Sequence, residues 1–219
     1  MTTRKSFDLK WALALWNLSL ALFSAYGAIR TVPFLINSIV RRGFHHSVCS
    51  DATLHYGNGP VGLWVCLFIF SKIPELLDTF FIVMRKKPLL FLHWYHHVTV
   101  LLFCWHAYSV RSPSGLYFVS MNYLVHAIMY SYYFFTTLGY RPRWAPVVTV
   151  LQLSQMVVGV AVCTWSLFYL STDRLCHGNA SNLKWGLAMY ASYFALFAHF
   201  FIERYFQRAA KPIHAKKSL

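Results

Sequence analysis

The stretch 92-LHWYHHVTVL-101 sets three histidines, His93, His96 and His97, within five positions of an otherwise apolar run. On a helix they stand at i, i+3 and i+4 and share one face. Ionisable groups are costly inside hydrocarbon, so three imidazoles together need a reason: metal ligation, covalent or acid–base chemistry, or a polar seam between helices. Further polar groups recur in the neighbouring apolar runs. In 72-KIPELLDT-79, helical spacing turns Lys72, Glu75 and Asp78 to one side, and Pro74 predicts a kink. In 122-NYLVHAIMYSYY-133, Asn122, His126, Met129, Tyr130 and Tyr133 form a stripe, and in 149-TVLQLSQ-155 Thr149, Gln152 and Gln155 share a face. His199 and Glu203 stand at i, i+4, a spacing that serves helix stability. His45, His46, His55, His177 and His214 fall between the apolar runs.

Three chemistries fit these residues. Four histidines with Glu75 and Asp78 offer enough ligands for one metal, although membrane di-iron desaturases and hydroxylases use about eight histidines to fill two coordination spheres. A neutral imidazole is also a competent acyl acceptor when neighbouring groups orient it and take up its proton. A chamber without water would protect the acyl-imidazole that results. A His–Asp face could instead relay protons in a transporter, though no inverted repeat or pair of broken helices supports that use.

The elements that must position these residues follow from composition. Of 219 residues, 58% are hydrophobic and only 12% charged, against about a quarter charged in soluble domains. The mean hydropathy is +0.45. Six apolar blocks, at about 11–29, 61–84, 89–108, 116–138, 145–170 and 183–206, each approach the ~20 residues that cross a bilayer. Backbone satisfaction in lipid makes them helices, since they are too long for barrel strands. One all-α, polytopic membrane domain spanning residues 1–219 is expected, its helices enclosing a polar chamber. The first block has the basic start of a signal peptide, but its apolar run exceeds the usual length and reads as a retained helix.

The net charge of +14 lies in short gaps between blocks, without a basic face or groove-reading module, so nucleic acid is not the expected partner. One set of gaps and ends holds thirteen lysines and arginines: Arg4, Lys5, Lys10, Arg85, Lys86, Lys87, Arg141, Arg143, Arg204, Arg208, Lys211, Lys216 and Lys217. The opposite set holds Arg30, Arg41, Arg42, Arg111, Arg174 and Lys184, with Lys72 inside a block. Both termini are therefore expected in the cytosol. Lys216 and Lys217 form a cytosolic dilysine retrieval signal, and Asn179 opens an Asn-Ala-Ser sequon in a gap assigned to the lumen. Cys49 and Cys176 lie in two luminal gaps, where a disulfide can persist. These signs agree on a glycosylated, multi-pass protein of the endoplasmic reticulum membrane.

The set 72-KIPELLDT-79, 93-HWYHH-97, 122-NYLVHAIMYSYY-133 and 149-TVLQLSQ-155, in this order, resembles the ELO-type very-long-chain fatty acid elongases across essentially the whole chain. The form of the histidine box is similar to the branch that extends saturated and monounsaturated chains, since 88-PLLFL-92 lacks the upstream glutamine of the polyunsaturated branch. The resemblance implies an acyltransferase that condenses acyl-CoA with malonyl-CoA to 3-ketoacyl-CoA, CO2 and CoA, with no bound cofactor or metal. It implies a ping-pong course in which His96 accepts the acyl group opposite His126, with His93, His97 and Asp78 in support. Lys72, Asn122 and Tyr132 match positions that contact CoA, and basic cytosolic gaps would attract its phosphates. Cys49 and Cys176 match a disulfide-linked pair. Expected partners are the other enzymes of the elongation cycle (ketoacyl reductase, dehydratase and enoyl reductase), with a homo-oligomer as a further possibility. Family members have seven spanning helices and a luminal N-terminus; this sequence is expected to start before the second of them and to hold six.

Overall fold

A computed structural model describes residues 7–203, and every regular element among them is helical. The order is α1 (Lys10–Cys49), α2 (Ala52–His55), α3 (Gly59–Ser71), a 3-10 turn (Pro74–Leu76), α4 (Leu77–Met84), α5 (Phe91–Ser109), α6 (Gly115–Leu138), α7 (Ala145–Thr172) and α8 (Ala180–Ile202). Helices α1, α7 and α8 are both long enough and apolar enough to cross a membrane. Helices α5 and α6 have the length, at 19 and 24 residues, but carry the histidines and other polar residues that lower their hydropathy. The dilysine pair Lys216 and Lys217 lies outside the described residues.

Two expected blocks differ from the structure. The first, placed at 11–29, is the opening half of a 40-residue helix that continues to Cys49. Beyond the exposed Arg30 the chain carries a second apolar run, 31-TVPFLINSIV-40, and the whole helix packs along α6. Ala14, Asn17, Ala21, Ser24, Ala28, Thr31, Leu35 and Ser38 are buried at spacings of three and four, mostly small side chains that let two helices approach closely. At Gly27 a Cβ would collide with the Tyr123 ring, so glycine is what admits that ring. Gly43 has φ 84°, ψ 163°, a conformation glycine adopts without a Cβ penalty, and it bends the chain before Cys49. The second block, expected as one kinked helix over 61–84, is divided into α3, the 3-10 turn and α4. Pro74 lacks the N–H for a helical bond and sits at the first position of the turn, where none is required.

The main core joins Phe68 and Ile69 of α3, Cys104 of α5, Leu116, Phe118 and Tyr123 of α6, Met156 and Cys163 of α7, and Tyr190 and Tyr193 of α8. Cys49 and Cys176 form a disulfide that ties the end of α1 to the segment between α7 and α8. Asn179 caps α8, its side chain accepting a hydrogen bond from the Asn182 backbone N–H at 2.9 Å. The remaining blocks match α5, α6, α7 and α8 to within a few residues at each end, within the described range.

Candidate active site

Helices α5, α6 and α7, with α4 and α8, surround a cavity of about 260 Å³. Its lining includes the residues singled out by spacing: Asp78, His93, His96, His97, Asn122, His126, Tyr130, Tyr132, Thr149, Gln152 and Gln155. The i, i+3, i+4 arrangement on α5 does place the three box histidines side by side. The His97 ring lies 4.5 Å from that of His93 and 5.5 Å from that of His96, centre to centre. Tyr132 lines the wall and packs against Trp144 at 5.5 Å.

The break at Pro74 turns Lys72 and Asp78 toward α6, where they bind different residues. Buried Lys72 donates to Glu75 Oε1 at 2.7 Å and to Asn122 Oδ1 at 3.1 Å, and its ammonium stands 4.0 Å from the centre of the Phe68 ring. Ser71 also donates to Glu75 Oε1, while Glu75 Oε2 is buried without a hydrogen-bond partner among the described residues. Asn122 Nδ2 lies 3.1 Å from His126 Nε2. Because Lys72 donates only, it fixes the Asn122 amide with its oxygen toward the ammonium and its NH2 toward His126. His126 Nε2 must then accept, and the ring proton resides on Nδ1. Four residues in series thus set one tautomer.

Asp78 serves a separate network. Its two carboxylate oxygens accept from Trp16 Nε1 and from the Tyr130 hydroxyl, each at 2.6 Å. His93 Nε2 sits 3.2 Å from Thr79 Oγ1, so the hydrogen bond that orients it comes from the residue beside Asp78. Among the described residues, the rings of His96 and His97 make no hydrogen bond, and no group of three or more His, Cys, Asp or Glu side chains is placed to hold a metal ion.

A second, narrower cleft of about 50 Å³ begins at His96, Asn122 and Gln155 and runs between apolar walls to Tyr56, Ala107, Tyr108 and Gly115. Of the four candidate histidines, His96 alone lines both spaces. Tyr193 of α8 stands beside it, with ring centres 5.0 Å apart. The spacing argument missed Tyr193 and Trp16. Tyr193 belongs to the buried series Asn182, Gly186, Met189, Tyr190 and Tyr193, a face that sequence could mark as core but could not aim at His96.

The profile of the GNS1/SUR4 family, ELO, matches residues 1–213. The chain belongs to the ELO family. Its ELO relatives include very long chain fatty acid elongase 6 of Gallus gallus, 44% identical over 96% of this chain and 79% of the relative. The elongase 6 of Homo sapiens is 42% identical over 99% and 81%. Very long chain fatty acid elongase 4 of Trypanosoma cruzi is 44% identical over 97% and 75%. The ELO match covers all four polar segments that form the cavity.

Proposed function

We propose that this chain is a fatty acid elongase of the endoplasmic reticulum membrane. It condenses a long-chain acyl-CoA with malonyl-CoA through an acyl-histidine on His96. The observation that carries the reading is the position of His96 at the junction of a polar cavity and an apolar cleft, its ring nitrogens uncommitted to any described residue. The polar cavity suits a thioester and its CoA arm entering from the cytosol, and the cleft suits an acyl chain.

In the first half-reaction a neutral His96 nitrogen attacks the thioester carbonyl. The C–S bond breaks, CoA leaves as thiolate, and the ring N–H proton passes to it, leaving a neutral acyl-imidazole. In the second half-reaction the carboxylate of malonyl-CoA departs as CO2 and leaves its electron pair on the α-carbon. That carbon bonds to the acyl carbonyl as the C–N bond to His96 breaks, and the imidazole regains a proton from solvent. Per turnover one proton is consumed, and 3-ketoacyl-CoA, CoA and CO2 are released. His126, whose free N–H is fixed on Nδ1 by Asn122, serves as a donor to the oxyanion that develops in each half. His93 and His97 brace the box, Asp78 holds α1, α4 and α6 together around it, Asn122 and Tyr132 line the approach of CoA, and Lys72, buried behind the cavity wall, holds Asn122 in place.

The cleft gives the acyl length. Along α5, Ala107 lies eleven residues beyond His96, or ~16 Å at the helical rise. Carbon–carbon bonds of ~1.5 Å in the staggered, extended form advance ~1.25 Å each, so the cleft accommodates about 13 carbons beyond His96. Its resting volume is smaller than such a chain, and the flexible side chains of Met156 and Met189 can swing aside to admit it. The other enzymes of the elongation cycle would be its functional partners.

Purified protein given acyl-CoA and labelled malonyl-CoA should form labelled 3-ketoacyl-CoA two carbons longer, and His96→Ala should form none. Substrate flux into vesicles without a longer product, or turnover that requires added iron or zinc, would overturn the reading.

A further inference from the structure

Histidines that carry out chemistry are commonly oriented by a hydrogen bond to their second nitrogen. His96 is held otherwise. The Tyr193 ring lies against it at 5.0 Å with a 46° tilt, and the His97 ring meets it edge-on at 5.5 Å with an 89° interplanar angle. Tyr193 is 1% exposed. Its hydroxyl proton is shared between Thr99 Oγ1 at 2.5 Å and the backbone carbonyl of His96 at 3.3 Å. Thr99 in turn donates to the Tyr95 carbonyl at 2.6 Å. On the same turn Tyr95 reaches α8 through Ser192 at 2.9 Å and meets the Tyr193 ring edge-on at 5.8 Å.

We infer that Tyr193 is a positioning residue for His96: its ring sets the plane of the imidazole and its hydroxyl pins the turn of α5 that carries it. The inference rests on the acyl-histidine reading and adds a residue from a helix that none of the four polar segments includes. The design has a chemical consequence. An imidazole oriented by ring contacts keeps both nitrogens available, one to attack carbon and the other to release its proton, whereas a fixed hydrogen-bond partner would occupy one of them. Aromatic contacts have preferred offset and edge-to-face arrangements, which suits them to setting a plane. The hydroxyl and the ring make separable contributions, since one holds backbone and the other holds the side chain.

The test is a single-turnover measurement on the purified full chain in detergent. Acyl-CoA is supplied alone, and CoA release is followed with a thiol reagent. Tyr193→Phe keeps the ring and loses the pin; acylation should slow by less than about tenfold. Tyr193→Leu loses the ring as well and should slow acylation by ~10- to 100-fold, the range expected when a reacting group is misplaced by a fraction of an ångström to an ångström. Tyr193→Phe keeps the ring that forms part of the cleft wall, so its acyl-CoA concentration giving half-maximal rate should stay within about twofold of the parent. Thr99→Val should follow Tyr193→Phe. Thermal unfolding separates position from collapse: a rate loss in Tyr193→Phe with an unchanged melting temperature supports the inference. Parent-like acylation in Tyr193→Leu, or rate losses that appear only where the melting temperature falls, would overturn it. Failure of the parent protein itself to release CoA would instead overturn the acyl-histidine reading, so the two outcomes are distinguishable.

Discussion

Replacing Tyr56 by alanine should lengthen the acyl chains that are elongated. Tyr56 closes the far end of the apolar cleft, buried, with its hydroxyl donating to the Ser112 carbonyl at 2.6 Å. That end is already crowded, since a Cβ placed on Gly115 would lie 2.8 Å from the Tyr56 oxygen. With the phenol removed, a chain two carbons longer than the parent optimum can bury both added methylenes. At ~0.8 kcal/mol per methylene the gain is ~1.6 kcal/mol, or about fifteenfold in kcat/KM for the longer chain relative to the shorter. The reciprocal change, Ala107→Phe, fills the same end and should shift the profile toward shorter chains. The assay is product profiling by mass spectrometry with a ladder of saturated acyl-CoAs in competition. Ratios between chain lengths are taken within one preparation, so that the lost hydrogen bond to Ser112, which lowers stability, cancels. Profiles within about twofold of the parent for both substitutions would refute the cleft as the acyl site.

Three further outcomes follow from the polar networks. Lys72→Ala leaves Glu75 buried without its cation and should lower stability by about 3–5 kcal/mol, whereas Lys72→Met combined with Glu75→Gln should recover much of that loss in thermal unfolding. Asn122→Asp replaces a donor to His126 by an acceptor, which moves the ring proton to Nε2; acylation and condensation rates should both fall by ~10²- to 10³-fold, as for loss of one oxyanion donor. His55, in α2 and outside the apolar spans, has its pKa pushed down to about 4 by burial first, with His46 and Arg42 adding repulsion. The native state therefore favours neutral His55. Stability should decline as pH falls from the unfolded value of about 6.5 toward 4 and level off below, and His55→Asn should flatten that part of the unfolding profile.

Much of the site was legible because helical periodicity projects residue type onto a face. The spacings of His93, His96 and His97, of Asn122 and His126, and of Thr149, Gln152 and Gln155 all survive as one cavity wall. Pro74 likewise announced the break between α3 and α4. The supporting contacts were not legible, because they depend on which helices become neighbours. Nothing in the sequence pairs Asp78 with Trp16, 62 residues away, or Tyr193 with His96. The length of α1 was missed for a different reason. Arg30 reads as the end of the first apolar run, whereas the helix carries that exposed charge and continues through a second apolar run, 31-TVPFLINSIV-40, packed along α6. The order of bonding from Glu75 through Lys72 and Asn122 to His126 also needed coordinates, since i, i+3 and i, i+4 neighbours in sequence do not reveal the bridge between two helices.

The most direct test of the account is to incubate the purified protein with a long-chain acyl-CoA and no malonyl-CoA, digest it, and sequence the acylated peptide by mass spectrometry. The account predicts stoichiometric CoA release and an acyl group on His96 that disappears when malonyl-CoA is added. An acyl group on another side chain, or full condensing activity with no acylated peptide at any time, would contradict it.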